Sequence, residues 1–131
     1  MTDLTDLQSL TRSVERYLDL MYDSDISHFD RVFHATAQLH GLRDGKLSTI
    51  SAQAFKDAIA SRPSLASHNA PREDQVLLVD LASPTQALVK VRVSWNTAVY
   101  IDYLTYHRID GDWLITAKGF HIERTLPPHT P

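Results

Sequence analysis

A chain of 131 residues with 43% hydrophobic and 22% charged side chains has the make-up of one globular domain with a single core. A net charge of −3 and the lack of any basic run argue against nucleic acid as a partner, and the absence of cysteine removes disulfides, thiolate metal sites and thiol nucleophiles. The opening Met1-Thr2-Asp3-Leu4-Thr5-Asp6 lacks the apolar stretch of a secretory signal, and no run of about 18 apolar residues occurs, so a cytoplasmic chain with no membrane association is expected.

The first helix is read from Leu7, Leu10, Val14, Tyr17, Leu18 and Met21, whose three- and four-residue steps place them on one face. Thr5 and Gln8 have capping-box spacing, which starts the helix near Asp6. Asp23-Ser24-Asp25 ends it. A short second helix is expected next, with Ser24 as N-cap and Ile26, Phe29, Val32 and Phe33 facing inward. Residues 33–41 read as an irregular segment with a short strand, and Asp44-Gly45 as a turn. A third helix is predicted from Ala52 to Ser61, capped by Ser51 and stopped by Arg62-Pro63, with Phe55, Ala58 and Ile59 as its apolar face. Residues 64–72, preceded by Pro63 and containing Pro71, read as loop.

From Glu73 the period changes to two. Val76 to Leu81 is nearly all apolar, and Val89, Val91, Val93 and Trp95 alternate with Lys90, Arg92 and Ser94 as in a half-buried strand. Tyr100–Ile109 and Trp113–Glu123 flank Asp110-Gly111, a strong hairpin signal. A two-residue turn there pairs Ile109 with Asp112, Arg108 with Trp113, Tyr106 with Ile115, Leu104 with Ala117 and Asp102 with Gly119. That register places Asp102 and His121 on one face with Leu104, Tyr106, Trp113, Ile115 and Ala117. Tyr103, Thr105, His107, Leu114, Thr116, Lys118 and Phe120 take the other, a face aromatic enough to want a partner subunit. A bulge at the turn would swap the faces. The tail, residues 126–131, is proline-rich and is expected to fray. The resulting fold class is α+β, N-terminal helices packed on a curved antiparallel sheet in one domain spanning residues 1–131.

The stretches Phe33-His34-Ala35-Thr36-Ala37-Gln38-Leu39, Ser51 to Pro63, Ala87 to Val91, and Ile101-Asp102-Tyr103-Leu104 through Ile109-Asp110-Gly111-Asp112-Trp113-Leu114-Ile115-Thr116-Ala117-Lys118 carry a resemblance. Together they resemble the nuclear transport factor 2-like superfamily, a cystatin-like cone fold, and within it the group labelled putative lumazine-binding. The superfamily includes ketosteroid isomerase, scytalone dehydratase and SnoaL-like polyketide cyclases. The resemblance implies a homodimer packed through the outer sheet face and a pocket between the concave face and the helices. It implies no single activity.

The candidate chemistry is thin. Asp102 beside His121 is the best constellation, because a carboxylate can orient an imidazole and raise its basicity. The alternative is a partly solvated polar pair at the sheet's open end. His34 is a candidate acid/base at the pocket rim or a hydrogen-bonded structural histidine. Tyr17, Trp95 and Tyr106 are candidate ligand-binding residues or simply core with a polar tip. Lys118 reads as an exposed strand residue rather than a pocket cation. The seven histidines lack His-x-His or His-x-x-x-His spacing, so no metal is expected. The four glycines make no phosphate-binding loop and no cofactor is expected; without a nucleophile elbow serine hydrolysis has no support. The expected function is binding of a small apolar or aromatic molecule. The competing one is a cofactor-independent isomerase, dehydratase or cyclase working by Asp/His proton transfer, and a third is a protein-interaction module.

Overall fold

The structure, a computed structural model, describes residues 4–127. Helix α1 (Leu4–Asp23) is followed by a 3-10 turn (Ile26–Arg31), strands β1 (Phe33–Arg43) and β2 (Lys46–Ser51), helix α2 (Ala52–Ala60), a second 3-10 turn (Ala66–His68), and strands β3 (Asp74–Ser83), β4 (Gln86–Trp95), β5 (Ala98–Ile109) and β6 (Asp112–Thr125). The six strands form one sheet in the order β2-β1-β6-β5-β4-β3. Every pair is antiparallel except β1 with β6. The fold is α+β, but the sheet is mixed rather than purely antiparallel. The parallel pair arises because α1 and the 3-10 turn lead the chain into β1 beside the last strand, which a hairpin does not do.

Helix α1 buries Leu10, Val14, Tyr17, Leu18 and Met21, the face its spacing predicts, and packs them against the sheet. Ser51 caps α2 by accepting the Ala54 N–H at 3.1 Å. Three expectations are corrected. The segment 33–41 is regular, the body of an 11-residue strand whose buried Phe33, Ala37 and Leu39 meet the core. The second helix is a 3-10 turn capped by Asp25, whose carboxylate accepts the Ser27 N–H; Ser24 instead has a left-handed φ of 56°. Helix α1 starts at Leu4, so Thr5 lies within it.

Asp110 and Gly111 have φ of 51° and 86°, the twin positive values of a type I′ hairpin, and Asp44-Gly45 repeats the device between β1 and β2. The predicted pairs Ile109–Asp112, Arg108–Trp113 and Tyr106–Ile115 all form. Beyond them β6 carries one extra residue. Thr105 pairs with Ala117, Leu104 with Lys118 and Asp102 with Phe120, so Thr116 is the bulged position. From there to Ile122 the β6 side chains change face, and a second extra residue, Glu123, shifts the register again. Leu126 is tied by its N–H to the Thr97 carbonyl at 2.8 Å, and the remainder of the tail expected to fray, residues 128–131, lies outside the described residues.

The two ends of the helix-on-sheet layer differ. At the hairpin end, Arg108 donates to Asp6 at 2.6 Å and to Ser9 at 3.2 Å, and the Trp113 indole donates to Ser9 at 3.0 Å. These bonds lock the start of α1 onto the β5–β6 turn. At the other end, Phe29, Phe33, Phe55 and Trp95 form a chain of ring contacts beside a cavity.

Candidate functional site

The cavity has a volume of about 320 Å³ and opens between α2 and the concave face of β1, β4, β5 and β6. Its apolar walls include Met21, Leu39, Phe55, Trp95 and Phe120. The Phe120 ring lies against Gly41 of β1, where an added Cβ would overlap it, so that position favours glycine for lack of space.

Asp102 and Lys118 supply the floor's charge. Asp102 is central on β5 and fully buried; Lys118 is 7% exposed. The Lys118 ammonium nitrogen is 3.6 Å from Asp102 Oδ2, and the Tyr17 hydroxyl of α1 donates a short hydrogen bond to the same oxygen. Lys118 Nζ also sits 4.5 Å above the Phe55 ring and 5.1 Å from that of Tyr17. Asp102 Oδ1 has no hydrogen-bond partner among the described residues. Leaving a buried acceptor unmet costs about 1–3 kcal/mol.

Burial dominates the electrostatics. It pushes the Asp102 carboxyl upward, opposed by Lys118 and by the Tyr17 hydrogen bond. It pushes the Lys118 amine downward, opposed by Asp102. The Tyr17 phenol is raised well above its ordinary value by burial and by the neighbouring carboxylate, so it stays a donor. Burial thus disfavours both charges, while their mutual attraction opposes it.

At the mouth, Arg43 stands 5.8 Å from the Phe120 ring centre and Arg62 5.4 Å from that of Trp95. Both line the cavity, and neither has a carboxylate partner among the described residues.

The expected site residues separate. Asp102 is at the floor, Tyr17 reaches it through its hydroxyl, and Trp95 forms part of the wall. Tyr106 is buried in the core away from the cavity, its hydroxyl without a partner among the described residues and its phenol raised by burial. His34 is half-buried outside the cavity. Phe33 points inward, so its neighbour points away, and His34 Nδ1 lies 2.7 Å from the Thr36 hydroxyl. His121 is exposed on the face opposite Asp102, paired across from Ile101. The bulge at Thr116 is the reason: it turns His121 out and brings Lys118 and Phe120 in. Lys118, not His121, is the residue that stands beside Asp102, and it is a buried member of the cavity lining rather than an exposed strand residue. A signal for this was present. Trp113 and Ile115 are apolar at odd positions while Phe120 and Ile122 are apolar at even ones, so the alternation changes parity between them.

Among the described residues no group of three His, Asp or Glu side chains could hold a metal, and no helix is long and apolar enough to cross a membrane.

Residues 5–121 match the family described as putative lumazine-binding. An aldolase, FrzH, from a Cladobotryum species is 28% identical over 107 residues, covering 80% of this chain and 82% of the relative. A nuclear transport factor 2-like protein of unknown function from Silicibacter pomeroyi superposes with a TM-score of 0.82 at 24% identity, covering 94% of this chain and all of the other. A second such protein, from Shewanella baltica, gives 0.79 at 18% identity, covering 98% and 99%. The fold is that of the nuclear transport factor 2-like proteins, and the chain belongs to the putative lumazine-binding family.

Proposed function

We propose that this member of the putative lumazine-binding family binds a small, flat, mostly apolar molecule in the cavity, with a polar group at the Asp102–Lys118 floor. The observation that carries the reading is the buried Asp102–Lys118 pair in the cavity lining, where Asp102 Oδ1 is a buried acceptor without a hydrogen-bond partner among the described residues. A ligand hydroxyl or N–H meets the first and a ligand carbonyl meets the second. The cavity falls at the small end of the range for ligand sites, of order 300–1,000 Å³. That size suits one or two fused rings, and lumazine, named in the family's description, is a two-ring heterocycle bearing carbonyl groups. Arg43 and Arg62 at the mouth favour ligands with an anionic group at the far end.

Isothermal titration with lumazine and with 6-hydroxy-2-naphthoate tests the reading. The naphthoate carries a hydroxyl for the floor and a carboxylate for the mouth. Saturable one-site binding by either compound is the expected result. No binding by either, together with no stabilisation by a panel of one- and two-ring carbonyl compounds in thermal shift, overturns it.

A second reading is favoured by the same pair of groups and by the aldolase relative. In it the protein is a cofactor-independent enzyme that moves a proton beside a carbonyl, with Asp102 and Lys118 in place of the Asp/His pair. A homodimer through the outer sheet face is part of the proposal. Leu78, Lys90, Tyr103 and Gly119 form one cross-strand row there, with Leu78 49% and Tyr103 46% exposed. His107 on the same face is half-buried and bonded to Thr116 at 2.6 Å, while Phe120, expected on that face, is turned inward by the bulge. Light scattering at micromolar concentration checks the mass. A cytoplasmic location belongs to the same proposal, and imaging a tagged protein in cells tests it.

A further inference from the structure

Four lysines occur in the chain, and only one of them is enclosed. Lys46 is exposed beside the β1–β2 turn, Lys90 lies on the outer face over Tyr103, and Lys56 pairs with Asp30 at 3.7 Å near the surface. Lys118 alone is buried among aromatic rings, lines a cavity, and has a carboxylate within proton-transfer reach. A buried lysine used only as a structural counter-ion would be matched by a carboxylate with both oxygens satisfied. Here one carboxylate oxygen has no partner among the described residues, and Lys118 belongs to the lining of a cavity. Nucleophilic lysines share this setting: a desolvated amine, an acid/base group at hand, and room for a carbonyl carbon.

We propose that Lys118 is an amine nucleophile that forms an iminium with the carbonyl of an aromatic aldehyde or ketone held in the cavity, with Asp102 carrying the protons; this rests on the small-molecule reading above.

The step balances with these two side chains. Proton transfer from the ammonium to Asp102 leaves a free amine and a carboxylic acid. The amine lone pair forms the C–N bond while the carbonyl π pair moves to oxygen, which takes the Asp102 proton. The nitrogen of this intermediate then returns a proton to Asp102. Asp102 gives it to the new hydroxyl, which leaves as water, and the nitrogen lone pair closes the C=N bond. The products are an iminium cation on Lys118, an Asp102 carboxylate beside it, and one water. The Tyr17 hydrogen bond holds Asp102 Oδ2 in place throughout. The iminium makes a carbon beside the former carbonyl acidic, which is the entry to making or breaking a carbon–carbon bond there. Burial of the amine raises the reactive fraction at neutral pH, by about tenfold for each unit its pKa falls.

Reductive trapping tests the proposal. The whole protein is incubated with 2-naphthaldehyde and sodium cyanoborohydride at neutral pH, digested, and mapped by mass spectrometry. Quenching of tryptophan emission by 2-naphthaldehyde without the reductant reports occupancy, because Trp95 forms part of the cavity wall. The proposal expects the naphthylmethyl group on Lys118 at least about tenfold more than on Lys46, Lys56 or Lys90. Excess 6-hydroxy-2-naphthoate should suppress labelling at Lys118 and leave the other three unchanged. Lys118→Arg, which keeps a charge but has no nucleophilic amine, should lose the adduct. Should that variant fold poorly, the site comparison and the competition in the unaltered protein decide alone. Saturable quenching with Lys118 labelled no more than the surface lysines overturns the nucleophile and leaves the binding site standing. Neither saturable quenching nor selective labelling overturns both.

Discussion

The two ends of the helix-on-sheet layer handle buried polarity in opposite ways. At the hairpin end Arg108, Asp6, Ser9 and Trp113 satisfy one another within the chain. At the cavity end Asp102, Lys118 and Tyr17 are buried, yet one carboxylate oxygen has no partner among the described residues and Asp102 and Lys118 line the cavity. Polar groups that fasten a fold are closed on themselves. On the proposed reading the open atom beside the cavity is left for a ligand, which the Tyr106 hydroxyl, also without a partner among the described residues but away from the cavity, is not.

The comparison breaks most visibly at Trp113. Truncating this buried indole, Trp113→Ala, should lower stability by about 3–5 kcal/mol, as for other large buried aromatics. Urea unfolding measures it, and the affinity of the folded fraction should be unchanged. Gly41→Ala sharpens the contrast from the cavity side. It forces a methyl group into the Phe120 ring and should cost about 1–3 kcal/mol through packing, with a reshaped cavity mouth. The paired replacement Asp102→Asn with Lys118→Met should shift stability by less than about 1.5 kcal/mol, because losing a buried ion pair also removes its desolvation cost. A larger loss by urea unfolding would make that pair a structural fastener like its counterpart at the hairpin.

The pH profile separates the two charges. Asp102 is raised by burial, so the folded state holds its proton to higher pH than the unfolded chain. Its contribution is fullest below the unfolded value near pH 4 and declines as pH rises through the raised folded value. Lys118 is lowered, so the folded state releases its proton earlier, and stability recovers as pH climbs from that lowered value toward about 10.4. Relative to the double variant carrying Asp102→Asn and Lys118→Met, the unaltered protein should show a shallow minimum between these limits. A flat difference would mean that neither group is strained by burial. The smallest effect is expected at the mouth: Arg62→Ala loses one cation–ring contact and should weaken 6-hydroxy-2-naphthoate by a few-fold, consistent with about 0.5–1 kcal/mol for an exposed pair.

Much of this architecture is legible in the residues. Helix α1 follows from a three- and four-residue apolar spacing, α2 from Ser51 and the Pro63 stop, and the β5–β6 turn from Asp110-Gly111. Strand β1 is not, since Ala35, Thr36 and Gln38 are exposed on a strand whose partner β6 lies over 70 residues away, and local pattern says nothing about so distant a pairing. The site is half legible for a similar reason. Asp102 and Tyr17 fall inward by simple periodicity, but one bulged residue, Thr116, decides whether His121 or Lys118 stands next to Asp102. A period of two carries no memory of an inserted residue, and only the parity change from Ile115 to Phe120 records it. Tyr106 and His34 are plausible by residue type, yet type says nothing of whether a buried phenol borders a cavity or a filled core.

The most direct test of the contrast between the two ends is a calorimetric titration of 6-hydroxy-2-naphthoate into three proteins: unaltered, Ser9→Ala at the hairpin end, and Lys118→Met at the cavity end. Ser9→Ala removes the acceptor that Arg108 and Trp113 share and should cost about 1 kcal/mol of stability while leaving affinity unchanged. Lys118→Met should reduce affinity by about tenfold, the equivalent of one charge-assisted hydrogen bond. Equal affinities in all three proteins, or a loss confined to Ser9→Ala, would contradict the assignment of the Asp102–Lys118 floor as the ligand site.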